Sequence, residues 1–211
     1  MLITLSRQYA SGGSEVARLV AEALGWTVVD DDFVREVAQR AGLPPEEVAL
    51  LEERAPTFLE RFARSTALAS PELFMPATGG IEEFDEDKLI KITRSLVAEL
   101  AHEGRVVMVG RAAAAVLERE QDAMHVQLVA PRSVRVQTAI ERLGIDPKEA
   151  PRMVDERDRN RERYHKEYYE RDWADATNYH MVLNTALLGY DGAANLIAAH
   201  ARALGWADAA D

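Results

Sequence analysis

The stretch Leu2-Ile3-Thr4-Leu5-Ser6-Arg7-Gln8-Tyr9-Ala10-Ser11-Gly12-Gly13-Ser14, continued by Val16, Ala17, Leu19, Val20, Ala23 and Leu24, decides the fold. Its first residues form a short apolar run, the pattern of a buried strand. The small residues that follow read as a loop, and the apolar positions after them recur at helical spacing. Gly25 stands where a helix-ending glycine would, and Trp26-Thr27-Val28-Val29 is a second apolar run that ends at Asp30-Asp31-Asp32. Strand, loop, helix and strand in that order make a βαβ unit, which predicts a parallel sheet.

Working outward, Arg105 to Gly110, Met124 to Val129 and Met181 to Asn184 read as three further strands, each followed by a helical pattern. Five strands alternating with helices predict an α/β fold, a doubly wound five-stranded parallel sheet with right-handed crossovers, whose ligands bind at the carboxyl ends of the strands. Residues 33–103 depart from simple alternation. Phe33, Val34, Val37 and Ala38 mark one amphipathic helix, Pro45 suits the first turn of another, and Phe58, Phe62 and Leu68 mark a third. Residues 69–80 carry Pro71, Pro76, Gly79 and Gly80 and read as a loop, and Leu89 to Leu100 as a long helix closed by Gly104. This insert is far longer than a crossover requires, so 33–103 is expected to form a small helical subdomain beside the sheet. Residues 147–173 are expected to overhang the same edge as a lid.

The 211 residues suit one domain, and the absence of cysteine excludes a disulfide framework. Hydrophobic residues at 47% and charged residues at 29% exclude wholesale disorder and low-complexity classes. No apolar run approaches the roughly 20 residues of a membrane span, and the N-terminus lacks a basic flank, so a cytoplasmic protein without a membrane partner is expected. A net charge of −11 speaks against a nucleic-acid partner and leaves room for a small anion in a local basic pocket. The chain has only four lysines, Lys88, Lys91, Lys148 and Lys166, so arginine carries its cationic chemistry. A homodimer is expected only if apolar residues of the Leu89 to Leu100 helix are left uncovered.

The loop from Arg7 to Ser14 sits where a phosphate-binding loop belongs. Small residues let successive N–H groups turn toward an anion, and the helix N-terminus adds partial positive charge. Aligned on Gly12 with the pattern Gly-x-x-x-x-Gly-Lys-Ser/Thr, the chain has Arg7 for the first glycine and Gly13 for the lysine, and keeps Ser14. Taken alone, the loop reads more readily as a plain strand-to-helix turn. In Asp155 to Tyr169, Arg157 and Arg161 lie one helical turn apart, and Asp158 precedes Arg161 by three residues. Paired guanidiniums suit the charge that builds on a phosphoryl group in transfer, and a solvated helix carrying Asp155/Arg159 and similar pairs is the alternative. Arg111, after the third strand, suits an acceptor phosphate or a structural ion pair. Among Asp30 to Asp32, one carboxylate suits Mg²⁺ or a substrate hydroxyl and another an N-cap, while Arg35 lies a turn further on. The five histidines show no ligand spacing.

Together, Ile3 to Gly13, Val29-Asp30, Val107-Met108-Val109-Gly110-Arg111-Ala112, Asp158-x-x-Arg161-x-x-Tyr164-x-x-x-Tyr168, Trp173 and Asn178 to Thr185 resemble the cytidylate kinase-like family, a branch of the P-loop nucleoside monophosphate kinases. The resemblance runs from Leu2 to about Ala199. It implies an ATP donor whose phosphates lie against Arg7, Ala10, Ser11, Gly12, Gly13 and Ser14, with the Ser14 hydroxyl near Mg²⁺. It implies an acceptor, CMP or dCMP, held by Asp30, Arg35 and Arg111, and lid arginines Arg157 and Arg161 closing over the transferred group. Asp158 would orient Arg161 or the acceptor sugar. The chain departs from the family's bacterial cytidylate kinases at Gly13, where they carry lysine, and at Asp31-Asp32-Phe33, where they carry Ser-Gly-Ala. The first departure leaves open a nucleotide-binding regulator or pseudokinase without transfer activity.

Overall fold

A computed structural model describes residues 1–29, 37–40 and 86–207. Most of the expected helical subdomain, with Asp30, Asp31, Asp32 and Arg35, lies outside these residues.

The described chain runs β1 (Leu2–Arg7), α1 (Gly13–Leu24), β2 (Thr27–Val29), α2 (Glu86–Glu103), β3 (Val106–Val109), α3 (Ala113–Val116), β4 (Ala123–Val129), α4 (Arg132–Glu141), α5 (Ala150–Tyr169), a 3₁₀ turn (Ala176–Asn178), β5 (Met181–Asn184) and α6 (Thr185–Ala203). Residues 37–40 are helical. The five strands make one parallel sheet in the order β2-β3-β1-β4-β5. All five expected strands are present, with ends that shift by one or two residues; β1 runs on to Arg7 because Ser6 and Arg7 keep pairing with Gln127 and Leu128.

β1 is buried on both faces because it is the central strand. Ile3 and Leu5 face α1 and α6, joining Val16, Val20, Val107, Val126 and Ile197 in one core. Leu2 faces the other way, with Met108, Leu96, Val97 and Tyr164 in the second core, which also takes up Val37 and Ala38. A third, smaller cluster of Ala139, Ala150 and Val154 joins α4 to α5 and takes Tyr9 and Ala10 of the loop against it. The chain builds first on the β3 side of β1 and crosses to the β4 side after β3. The strand order therefore reverses at β1, and the crevice where such sheets bind ligands opens at its carboxyl end.

Gly25 ends α1 as expected: it has φ 65° and its N–H bonds the Ala21 carbonyl. On α2, Ile90, Leu96 and Val97 are buried, and Ile92 and Leu100 pack against the core, so that helix supplies no uncovered apolar face for a homodimer among its described side chains. No described helix is long and apolar enough to cross a membrane.

Candidate active site

The loop after β1 is held from beneath by its own polar residues. Gln8 donates its N–H to the Leu128 carbonyl at 3.0 Å and accepts the Ala130 N–H at 3.0 Å on Oε1. Ser11 is turned into the protein. Its hydroxyl donates to the Gln8 carbonyl at 2.8 Å, and its own carbonyl accepts from the Thr185 hydroxyl at 2.9 Å. Ala10 (φ 60°) and Gly12 (φ 87°) are left-handed, and this bends the chain sharply into α1. Val16 makes the first intrahelical bond, to Gly12, so the N–H groups of Gly13, Ser14 and Glu15 precede it. The N-cap Gly12 has no side chain to bond them, and the exposed Ser14 is the second residue of the helix. The N–H groups and partial positive charge of a helix N-terminus favour an anion.

Helix α5 lies over this loop and touches it through Tyr9. The guanidiniums of Arg157 and Arg161 each lie 5.9 Å from the centre of the Tyr9 ring, within cation–π range, and the Tyr9 hydroxyl reaches the Met153 sulfur at 3.6 Å. Arg161 also donates to the Arg7 carbonyl at 3.0 Å. It is buried, as are Asn160, Tyr164 and His165, so this face of α5 is packed into the protein and is not a solvated surface. Asp155, which the solvated-helix alternative paired with Arg159, makes its close bond across helices. Arg132 of α4 holds Asp155 at 2.7 Å, and that contact lowers the Asp155 pKa because it favours the charged carboxylate.

Asp158 is the tether between the loop and α5. One carboxylate oxygen accepts the Tyr9 N–H at 2.7 Å, and the other accepts Arg135 Nη1 at 2.6 Å; Arg161 is further off, at 3.8 Å. Arg135 is buried and also donates to the carbonyls of Ala130 (3.0 Å) and Tyr9 (3.1 Å). Sequence reading expected Asp158 to serve Arg161 or a sugar. Its nearest partners are instead Tyr9 and Arg135, neither of which sequence reading singled out for a role. A buried arginine in a polar-looking helix leaves no pattern in the chain; Tyr9 could have been found as a large aromatic in a loop of small residues.

Arg111 follows β3 at the same edge. Gly110 (φ 74°), Arg111 (φ 58°) and Ala112 (φ 48°) are left-handed in succession. For the two residues with a Cβ this costs about 1–2 kcal/mol each, a strain that surrounding structure must hold in place. The Gly110 N–H bonds the Leu5 carbonyl at 3.0 Å, and Arg171 bonds the Ala114 carbonyl at 2.8 Å. Between β1, β3 and α5 is a narrow cavity, lined by Ser6, Arg7, Gly110, Arg161, Tyr164 and Trp173 among others. Trp173 donates its indole N–H to Ser6 Oγ at 2.7 Å, and Gln127 and Tyr179 both bond the Trp173 carbonyl at 2.9 Å. Burial pushes the Tyr179 hydroxyl pKa up.

Arg7, Gly12, Gly13, Ser14, Arg111, Arg157 and Arg161 are thus all at the carboxyl edge of the sheet, on β1, β3, α1 and α5 or the loops that join them. His125 is remote from this chemistry. Its Nε2 donates to the Leu117 carbonyl at 3.2 Å, so Nδ1 accepts from the Thr4 hydroxyl at 2.9 Å. Burial, aided by His180, lowers its pKa to about 4 and keeps it neutral. Among the described residues no cluster of His, Asp or Glu suits a metal by itself. A magnesium ion, which takes few protein ligands and several waters alongside substrate phosphates, fits Ser14 beside the helix N-terminus without such a cluster.

The family model described as the cytidylate kinase-like family matches residues 2–187. A cytidylate kinase of Methanopyrus kandleri is 29% identical over 195 residues, covering 88% of this chain and 85% of its own length. One of Natronomonas pharaonis is 30% identical over 194 residues, covering 91% and 84%. Among solved structures, an uncharacterized protein from Eubacterium ventriosum superposes with a TM-score of 0.67 at 19% identity, covering 95% of this chain and 97% of that one. A shikimate kinase from Bacteroides thetaiotaomicron superposes with a TM-score of 0.53 at 11% identity, covering 97% and 98%.

Proposed function

The chain belongs to the cytidylate kinase-like family, with the P-loop nucleoside monophosphate kinase fold, and from that premise we propose that it transfers a phosphoryl group from ATP to a nucleoside monophosphate, CMP or dCMP first among them. The observation that carries this reading is the meeting of two elements at the carboxyl end of β1. A left-handed glycine loop opens onto a helix N-terminus, and a helix bearing Arg157 and Arg161 lies over it.

In this reading the donor phosphates lie along Arg7 to Ser14 and take up the N–H groups of Gly13 and Ser14. Arg111 holds the acceptor phosphate, with Asp30 and Arg35 beside it, and residues 33–103 supply the rest of the acceptor site. An acceptor phosphate oxygen attacks the γ-phosphorus in line, the bond to the β–γ bridging oxygen breaks, and ADP leaves with that oxygen's charge. Arg157 and Arg161 release Tyr9 to bind the equatorial oxygens as charge spreads over them. Ser14 would hold a magnesium ion, which neutralises phosphate charge when bound. Lid residues 147–173 keep water from the γ-phosphate and so limit ATP hydrolysis.

The test is an acceptor panel with ATP and Mg²⁺, read as ADP formed. CMP or dCMP should be the best acceptor, and Arg161→Ala should lower kcat by about 10²–10³. No turnover with any monophosphate would overturn the kinase reading. Gly13 favours a second reading, a regulator that binds nucleotide without transfer. Calorimetric ATP binding with no turnover across the panel would support it.

A further inference from the structure

In the strict phosphate-loop pattern a glycine stands at the position of Arg7 and a lysine at that of Gly13, so this chain carries one cation and one glycine in exchanged places. The two positions are sterically linked. A Cβ added to Gly13 would lie 3.3 Å from Arg7 Cβ, 2.8 Å from its Cγ and 3.3 Å from its Cδ. Carbon atoms pack at about 3.5–4.0 Å, so the stem of Arg7 already fills the volume that a side chain at 13 would need. The near atoms are at the root of the arginine, which cannot swing clear without leaving its rotamer. That root is anchored, since Arg7 ends β1 in register with Leu128 and its carbonyl takes a bond from Arg161.

Gly13 is not required by the backbone. Gly12 and Gly25 have positive φ, whereas Gly13 begins α1 with helical geometry that any residue adopts. Space alone calls for glycine there, and Arg7 occupies that space. Side chains launched from 7 and 13 start about a carbon–carbon contact apart, so a cation carried at either position leaves the backbone from the same point beside the start of α1.

We propose that Arg7 has taken over the task of the loop lysine: its guanidinium binds the β- and γ-phosphates of a nucleoside triphosphate, and Gly13 exists to let its stem cross the helix N-terminus. The fork stays charged at every working pH and offers paired N–H groups to phosphate oxygens. This rests on the reading that donor phosphates occupy the loop, and it removes the argument for a non-transferring protein that Gly13 alone supplies.

The experiment compares the full chain with Arg7→Ala, Gly13→Lys and the double variant Arg7→Ala/Gly13→Lys. MgATP binding is measured by calorimetry, turnover with CMP, and folding by circular dichroism. Arg7→Ala should raise the Kd for MgATP at least about tenfold and lower kcat by about 10²–10³. Gly13→Lys should also weaken binding, because the new stem collides with Arg7. The double variant, with the strict motif's lysine and space for it, should recover affinity to within a few-fold of the unmodified protein. Gly13→Ala adds only the colliding Cβ and should lose affinity although it changes no charge. Undiminished ATP binding in Arg7→Ala, improved binding in Gly13→Lys alone, or a folded double variant no better than the single ones would overturn the exchange. Absence of ATP binding by the unmodified protein would instead overturn the functional reading, and the exchange with it.

Discussion

Asp158→Ala removes the tether between the loop and α5, and the geometry allows its cost to be worked out. The carboxylate takes a charge-assisted bond from the Tyr9 N–H at 2.7 Å and pairs with Arg135 at 2.6 Å. The Arg135 side chain is only 7% exposed and that of Asp158 17%. Breaking a buried pair by deleting one partner costs about 3–5 kcal/mol, because the other charge stays buried. Arg135 keeps its bonds to the Ala130 and Tyr9 carbonyls, which points to the low end, about 3 kcal/mol. At about 2–4 °C per kcal/mol for a chain of this size, Tm should fall by about 6–12 °C in a circular dichroism melt. Arg135→Ala removes the same pair, so the double variant should cost less than the sum of the singles by about 1–3 kcal/mol. A melt within about 1 °C of the unmodified protein, or strict additivity, would refute the tether. A loss of activity with no loss of stability would return Asp158 to a role on the substrate side.

Three further outcomes follow from the same packing. Gly12→Ala should destabilise by about 2 kcal/mol or more in urea unfolding, since it forces φ 87° on an alanine and sets a Cβ 2.3 Å from the Tyr190 ring; Tyr190→Ala should relieve only the steric part. Trp173→Phe loses the buried bond to Ser6 Oγ and should cost about 1–2 kcal/mol by the same measurement. His125 has a folded-state pKa of about 4, so as pH falls below about 6.5 the unfolded chain gains a proton that the folded one refuses. Stability from this residue is therefore intact above about pH 6.5 and falls by about 2–3 kcal/mol on the way to pH 4. Chemical denaturation at several pH values should show a shallower acid loss in His125→Gln; an equal slope would remove His125 as its source.

Much of the architecture was legible because it is written in short-range pattern. The five strands, the glycine at the end of α1 and the run from β1 through a small-residue loop into a helix all follow from apolar period and turn chemistry, which act over a few residues. The residues of the candidate site, Arg7 to Ser14, Arg111 and the arginines of α5, were visible in the sequence by type and order. The bond from Arg132 to Asp155 was not legible, because it joins residues 23 apart in the chain. Residues Asp30 to Asp32 and Arg35 lie outside the described structure and keep only the standing of their sequence pattern.

The sequence by itself determined a doubly wound parallel sheet, a loop that lacks its lysine, and a family resemblance that the match over residues 2–187 bears out. Tertiary structure alone decided the partners. Arg7 and Gly13 exclude each other in space, Tyr9 lies within reach of two guanidiniums, and Asp158 joins a loop amide to an arginine on another helix. The physical reason is range. Backbone preference and burial period are local and repeat along the chain. A buried charge, by contrast, is satisfied by whichever group the fold brings within about 3 Å, and nothing in the local sequence names that group.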